Sequence, residues 1–341
     1  MSDRPIDGPG RSDSATLADS ATLADSATLL DRARSGDRSA LARLLSLVER
    51  GGDGARSVAR IVHPCAGSAH TVGITGAPGA GKSTLTSALT TVVRSRGDRL
   101  GILAVDPSSP FSGGAILGDR VRMADHTLDD GVYIRSMATR GHLGGLTLAT
   151  PEAVRVLDAV GFAWVVVETV GVGQVEVEIA GAADTTVVVV NPGWGDAVQA
   201  NKAGLMEIGD VFVINKADRP GSADTRRDLE AMLSMRRLSM RQPSMGRLAS
   251  TVPIVETVAT DGTGAEELWA AIEAHRATAT ASGELERRRV ARSEDELREV
   301  VVARLRERAL DRCSGERWSA ALDQIRRREA DPWAVVDELL D

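Results

Sequence analysis

Lysine is almost missing from this chain. Of 41 basic residues only Lys82, Lys202 and Lys216 are lysines, and the rest are arginines. Arg and Lys differ wherever a compact ammonium must act as a point charge, so each of the three asks for a local reason. Aromatic residues are also scarce, at 3%. There is no basic excess either: 48 Asp and Glu outnumber the Lys and Arg for a net charge of −7. A chain with this balance has no broad cationic field, so nucleic acid and membrane surfaces are not expected as partners. The only cysteines are Cys65 and Cys313, far apart and outside any Cys-x-x-Cys or Cys/His spacing, which argues against a disulfide framework or a structural zinc site. Uncharged apolar runs are short, Val187 to Val190 being representative, and no transmembrane helix is expected. Residues 1 to 11 mix Asp3, Arg4, Asp7 and Arg11 without an apolar segment. A targeting signal is therefore not expected, and the location read is cytoplasmic.

What is present is an ordinary globular composition, 43% hydrophobic and 26% charged over 341 residues, enough for one large domain or about two ordinary ones. Residues 13 to 29 read DSATLADSATLADSATL. A six-residue period turns successive leucines by about 240° round a helix, so it builds no apolar stripe. Residues 1–28 are accordingly expected to be a disordered low-complexity leader. Leu41, Leu44, Leu45 and Val48 then recur at helical spacing before Gly51-Gly52, giving an N-terminal helical segment over 29–59. Beyond it, short β-branched runs alternate with helical patterns: Thr71 to Thr75, Leu100 to Val105, Val132 to Ile134, Trp164 to Val167, Thr185 to Val190, Val211 to Ile214 and Val252 to Val255. Several are continuously apolar, as strands buried on both faces are. The alternation predicts a doubly wound, mostly parallel α/β domain over 60–276. The remainder, 277–341, reads as a C-terminal helical arm. Within it Leu297, Val301, Leu305 and Ala309 form a stripe amid charge, suited to packing or to a dimer contact.

After the first run comes Gly76-Ala77-Pro78-Gly79-Ala80-Gly81-Lys82-Ser83-Thr84, an intact G-x-x-x-x-G-K-[ST] phosphate-binding loop. Glycines let successive N–H groups face one anion, the Lys82 ammonium reaches the β and γ phosphates, and the Ser83 hydroxyl can ligate Mg²⁺. Well downstream, Asn215-Lys216-Ala217-Asp218 follows another run. The Asp218 carboxylate can accept from two donors on guanine that adenine lacks, Asn215 would hold a neighbouring loop or N7, and the Lys216 stem would lie over the ring. Strand-end carboxylates lie between these motifs. Asp106, Asp119 and Glu168 are candidate Mg²⁺ ligands, because this cation takes one or two carboxylates and keeps its waters. Glu168 with Gly171 occupies the place of a D-x-x-G element. Gln174 is a candidate for orienting the attacking water, although it lies three residues after Gly171 rather than directly after it, as in Ras-type enzymes. The third lysine lies in a Gly-rich loop, where Asp196, Gln199 and Lys202 recur every three residues. That loop is either plain surface or a further nucleotide-sensing element.

These segments resemble the MeaB/ArgK family of GTPases associated with methylmalonyl-CoA mutase. The resemblance rests on VDPSSPFSGGAILGDRVRM from Val105, RSMATRGHLGGL from Arg135, ETVGVGQ from Glu168, PGWGDAVQANKAG from Pro192, and NKAD from Asn215. It implies a SIMIBI-like P-loop fold and a homodimer with a C-terminal dimerisation arm. It also implies GTP/GDP and Mg²⁺ as ligands, and a chaperone that gates adenosylcobalamin loading of the mutase and protects it from inactivation. Asp106, Asp119 and Glu168 would then serve the metal and switch region, and Asp196, Gln199 and Lys202 would signal nucleotide state to the mutase. Three features depart from the pattern: the N-terminal repeat, the Met/Arg-rich segment from Leu233 to Leu248, and Val258-Ala259-Thr260, where a Ser-Ala pair often backs the guanine. In that last segment the backbone N–H groups are expected to bond the base oxygen. A small-molecule kinase or transport-associated ATPase is the alternative, but it would need a second substrate pocket with a positioned base. A nickel-delivery GTPase would want clustered His or Cys, whereas His63, His70, His126, His142 and His275 are scattered.

Overall fold

The computed structural model describes residues 11–106, 126–138, 149–169, 175–193, 199–239 and 252–340. Within them each expected run forms a strand: β1 His70–Gly76, β2 Leu100–Asp106, β3 Val132–Ala138, β4 Trp164–Thr169, β5 Thr185–Val190, β6 Val211–Asn215 and β7 Ile254–Thr257. They make one sheet in the order β3-β2-β4-β1-β5-β6-β7, and every pairing in it is parallel. The chain starts at the central β1 and winds first to one side and then to the other. The C-terminal edge beside β1 is thus the switch point, where ligands of such sheets bind.

Continuous apolar strands arise here because both faces are covered. On one face Leu103, Val105, Val165 and Val167 pack with Val156 and Leu157 of α5 (Ala149–Ala159), with Ile179 of α6 (Val175–Ala182) and with the N-terminal helices. Farther along the sheet, Val188, Val190, Phe212 and Ile214 meet Leu205 of α7 (Gln199–Ile208) and Leu229 of α8 (Ser222–Ser239). On the opposite face Ile74, Ile102, Val166, Val187 and Val189 pack against Leu85 and Leu89 of α4 (Lys82–Ser95) and against Leu268, Trp269 and Ile272 of α9 (Ala265–Ala281).

The N-terminal layer consists of α1 (Arg11–Arg34), α2 (Arg38–Arg50) and α3 (Gly52–Val62). Helix α1 begins inside the segment expected to be a disordered leader. Its repeat has no stripe, but Ala and Leu favour helix once one end is anchored, and its last turns supply the anchor: Ser26, Leu29, Leu30 and Ala33 are buried. The expected α2 stripe is buried at Leu41, Leu44, Leu45 and Val48. Asp37 caps that helix, accepting from the N–H groups of Ser39 at 2.9 Å and Ala40 at 3.1 Å. The Ser39 hydroxyl, the Ala40 N–H and Arg32 hold its carboxyl well below the usual range.

The chain divides into two compact units, Met1–Arg288 and Arg289–Asp341. Helix α10 (Glu284–Arg312) has its first turn in the first unit and has no buried residue. The second unit also contains α11 (Gly315–Arg326) and α12 (Pro332–Leu340), with a small core of Ala321, Val335 and Leu339. Among the described residues no helix is long and apolar enough to cross a membrane.

Candidate nucleotide-binding site

Strand β1 stops at Gly76 because the chain must turn there against its neighbour. Gly76 has φ 132°, and a Cβ at this position would strike the carbonyl of Val189 on β5. The loop then runs through Ala77, Pro78, Gly79 and buried Ala80 to Gly81, which precedes α4 in the left-handed region at φ 91°. A Cβ on Gly81 would strike the Asn215 side-chain amide. Lys82, Ser83 and Thr84 open the helix, whose first N–H groups lack intrahelical acceptors and carry the positive end of its dipole.

Two of the three lysines hold this loop. The Lys82 Nζ donates to the carbonyls of Gly76 at 2.7 Å and Ala77 at 3.1 Å, and the Lys216 Nζ donates to that of Gly79 at 2.7 Å. A tetrahedral ammonium meets converging carbonyls at close range in a way that a planar guanidinium does not. Lys216 itself adopts φ 61°, a strained conformation for a non-glycine residue and one that recurs at functional sites.

The acidic component is Glu168 at the end of β4. It is 1% exposed, and it accepts from the Ser83 hydroxyl at 2.6 Å through Oε1 and from the Thr86 hydroxyl at 3.0 Å through Oε2. A carboxylate taken out of water needs such donors. Asp106 ends β2 in register with Ala138, on the same edge of the sheet; its side chain lies outside the described residues. So do Asp119, Gly171, Gln174 and Asp196, while Gln199 and Lys202 are placed only as backbone positions on α7.

Asn215 ends β6 and ties the site together. Its Nδ2 donates to the Ala80 carbonyl at 2.8 Å. Its Oδ1 accepts from the Ala259 N–H and the Thr257 hydroxyl, both at 3.1 Å. Of the two roles considered for it, this geometry shows the loop-holding one. Asp218 is exposed in the turn beyond β6. Two of the three N–H groups expected to face a base oxygen have protein acceptors: Val258 donates to the Thr263 carbonyl at 3.0 Å and Ala259 to Asn215. Thr260 follows on the surface.

These residues fit a phosphate chain and a divalent cation. A buried ammonium, a helix start and two close-approach glycines make the anion cradle. The Ser83 hydroxyl donates to Glu168, and its oxygen is of the type that ligates Mg²⁺. Residues 41–314 match the family described as Methylmalonyl Co-A mutase-associated GTPase MeaB. The chain belongs to the MeaB family. A Pyrococcus abyssi protein is 46% identical over 307 residues, covering 90% of this chain and 93% of its own. The Escherichia coli protein GTPase ArgK is 36% identical over 78% of this chain and 80% of its own. The crystal structure of an LAO/AO transport system kinase superposes with a TM-score of 0.62 at 26% identity, over 94% of this chain and 96% of that one.

Within this MeaB-family site the sequence reading missed Thr86 and Thr257. Thr86 follows Ser83 by three residues on one helix face, a signal that helical periodicity offers. Nothing local to Thr257 points to Asn215.

Proposed function

We propose that this chain binds GTP and GDP with Mg²⁺ at the C-terminal edge of β1, hydrolyses GTP, and acts as a homodimeric chaperone. Its client would be an adenosylcobalamin-dependent methylmalonyl-CoA mutase, whose cofactor loading it gates and which it protects from inactivation. The observation that carries this reading is the Asn215 strut, which fastens the phosphate loop at Ala80 to the base-side loop at Ala259. Phosphate cradle and N-K-x-D turn thereby become one rigid site, with Asp218 free to accept the two donors of guanine.

In this reading the loop N–H groups bind the α and β phosphates, Lys82 exchanges its loop carbonyls for phosphate oxygens, and Ser83, ordered by Glu168, faces the metal. Bound Mg²⁺ would neutralise charge on the transferring phosphoryl group. Asp106, Asp119, Gly171 and Gln174 are the further metal and switch candidates. Asp196, Gln199 and Lys202 are the candidates for transmitting nucleotide state to the mutase, and a low intrinsic rate that rises with the mutase fits the offset position of Gln174. A kinase reading is disfavoured by N-K-x-D, which adenine cannot satisfy.

Calorimetry tests the base assignment. GTP and GDP should bind at least about a hundredfold more tightly than ATP, since a site built to pair polar groups rejects a ligand lacking them, and Asp218→Asn should move preference towards xanthine nucleotides. Equal ATP and GTP affinity removes the guanine reading. Co-elution with a purified mutase and stimulation of phosphate release by it test the partner, and absence of both removes that partner.

A further inference from the structure

Thr86 lies one turn into α4, is fully buried, and has no part in the phosphate motif. Its single hydroxyl proton has two acceptors at 3.0 Å: the Lys82 carbonyl in its own helix and Oε2 of Glu168. A neutral carbonyl and a buried carboxylate are not equal rivals, because hydrogen bonds to an ionised acceptor are roughly twice as strong. If the proton went to Lys82, a hydroxyl lone pair would face Oε2 in a water-poor site, an arrangement that costs free energy. The proton therefore belongs to Glu168.

With Oε2 held by Thr86, the carboxylate plane is fixed and Oε1 stays on the Ser83 hydroxyl at 2.6 Å. That bond directs the Ser83 proton, and with it the orientation of the oxygen through which the hydroxyl would ligate a cation. Glu168 then acts through Ser83, and Thr86 acts through Glu168. We propose that Thr86 is a positioning residue for the divalent cation, holding Glu168 so that Ser83 presents its oxygen to the metal. Outer-shell partners of this kind typically change metal affinity by about ten- to a hundredfold when removed. The proposal rests on the nucleotide and Mg²⁺ reading above and names a residue that reading does not use.

The test is the Mg²⁺ dependence of GDP retention, read as release of a fluorescent GDP analogue across a Mg²⁺ titration. Thr86→Val keeps the shape and removes the hydroxyl. It should raise the half-saturating Mg²⁺ concentration about tenfold while leaving metal-free GDP affinity in EDTA within about twofold of the parent, and Thr86→Ser should restore the parental value. An unchanged Mg²⁺ midpoint in a folded Thr86→Val protein overturns the proposal. So does an equal loss of GDP affinity with and without Mg²⁺ that Ser does not repair, which would make Thr86 a packing residue only. Should Thr86→Val not fold, Thr86→Ser and Thr86→Ala carry the same comparison, with melting curves confirming their fold. A parent protein that binds no GDP, or binds it without regard to Mg²⁺, would instead overturn the GTPase reading itself.

Discussion

At the scale of single residues, Asn215 combines two duties that are usually discussed separately. As a member of N-K-x-D it is proposed to serve base recognition, yet its amide is committed to Ala80, Thr257 and Ala259. Asn215→Ala leaves a buried carbonyl and an amide N–H unpaired, and a buried polar group deprived of its partner costs about 1–3 kcal/mol. We expect the nucleotide-free variant to lose about 2 kcal/mol in urea denaturation as well as binding GDP poorly. Unchanged stability without nucleotide would mean the strut does not bear on the fold. Sequence exposed half of this arrangement. The contiguous motifs and the rarity of lysine singled out Lys82 and Lys216, because short-range spacing and composition are properties of a string. The partners of Asn215 lie 135 residues upstream and 42 and 44 downstream, and only the fold brings them together.

Among elements, the strands were legible because burial on both faces writes itself as uninterrupted Val and Ile. Where that pressure relaxes the reading drifts: the last strand was expected from Val252 and runs Ile254–Thr257, since Pro253 has no N–H for a ladder and its carbonyl instead accepts from Phe212 at 2.9 Å. Helix α1 was missed through residue 28 because an anchor at its far end outweighs a missing stripe. The junction between sheet and α10 was not legible at all. There Asp210, just before β6, accepts from Arg288 at 2.9 and 3.0 Å and from the Thr186 N–H at 2.9 Å, with His275 at 3.5 Å. Burial by itself would raise the Asp210 carboxyl, but the Arg288 bonds and the nearby His275 overcome it and leave it below its usual value. A folded-state value below the unfolded one stabilises above the unfolded value, about pH 3.9, and that stability is lost as pH falls through the folded value. Asp210→Asn should thus cost about 3 kcal/mol at pH 7 in denaturant titrations. The difference from the parent should hold from pH 8 to 5 and shrink only below about pH 4. A difference that varies between pH 8 and 5 would show that a group other than this carboxylate sets the effect.

For the molecule as a whole, the two units differ in how they hold together. The first closes three hydrophobic clusters around its sheet. The second closes one small cluster and leaves a row of apolar side chains in water: Leu297 at 65% exposure, Val301 at 49% and Leu305 at 59%. These are three of the four residues whose spacing marked a stripe in the sequence. Contiguous exposed apolar surface of this sort marks an interaction face, and the proposed homodimer gives it an occupant, a second copy of the same face related by a twofold axis. Charge placed there should separate association from folding, because no residue of α10 is buried within the chain. Leu297→Glu combined with Leu305→Glu is therefore expected to shift the mass measured by light scattering from two chains to one. GDP affinity and the thermal midpoint at low protein concentration should stay at parental values, since Gly76 to Thr84 and Asn215 to Asp218 all lie in the first unit. If the double variant remains a dimer, this stripe is not the interface and another surface must join the copies. A parent protein that runs as a single chain at all concentrations would remove the homodimer itself, and the stripe would then be left for the client enzyme to cover.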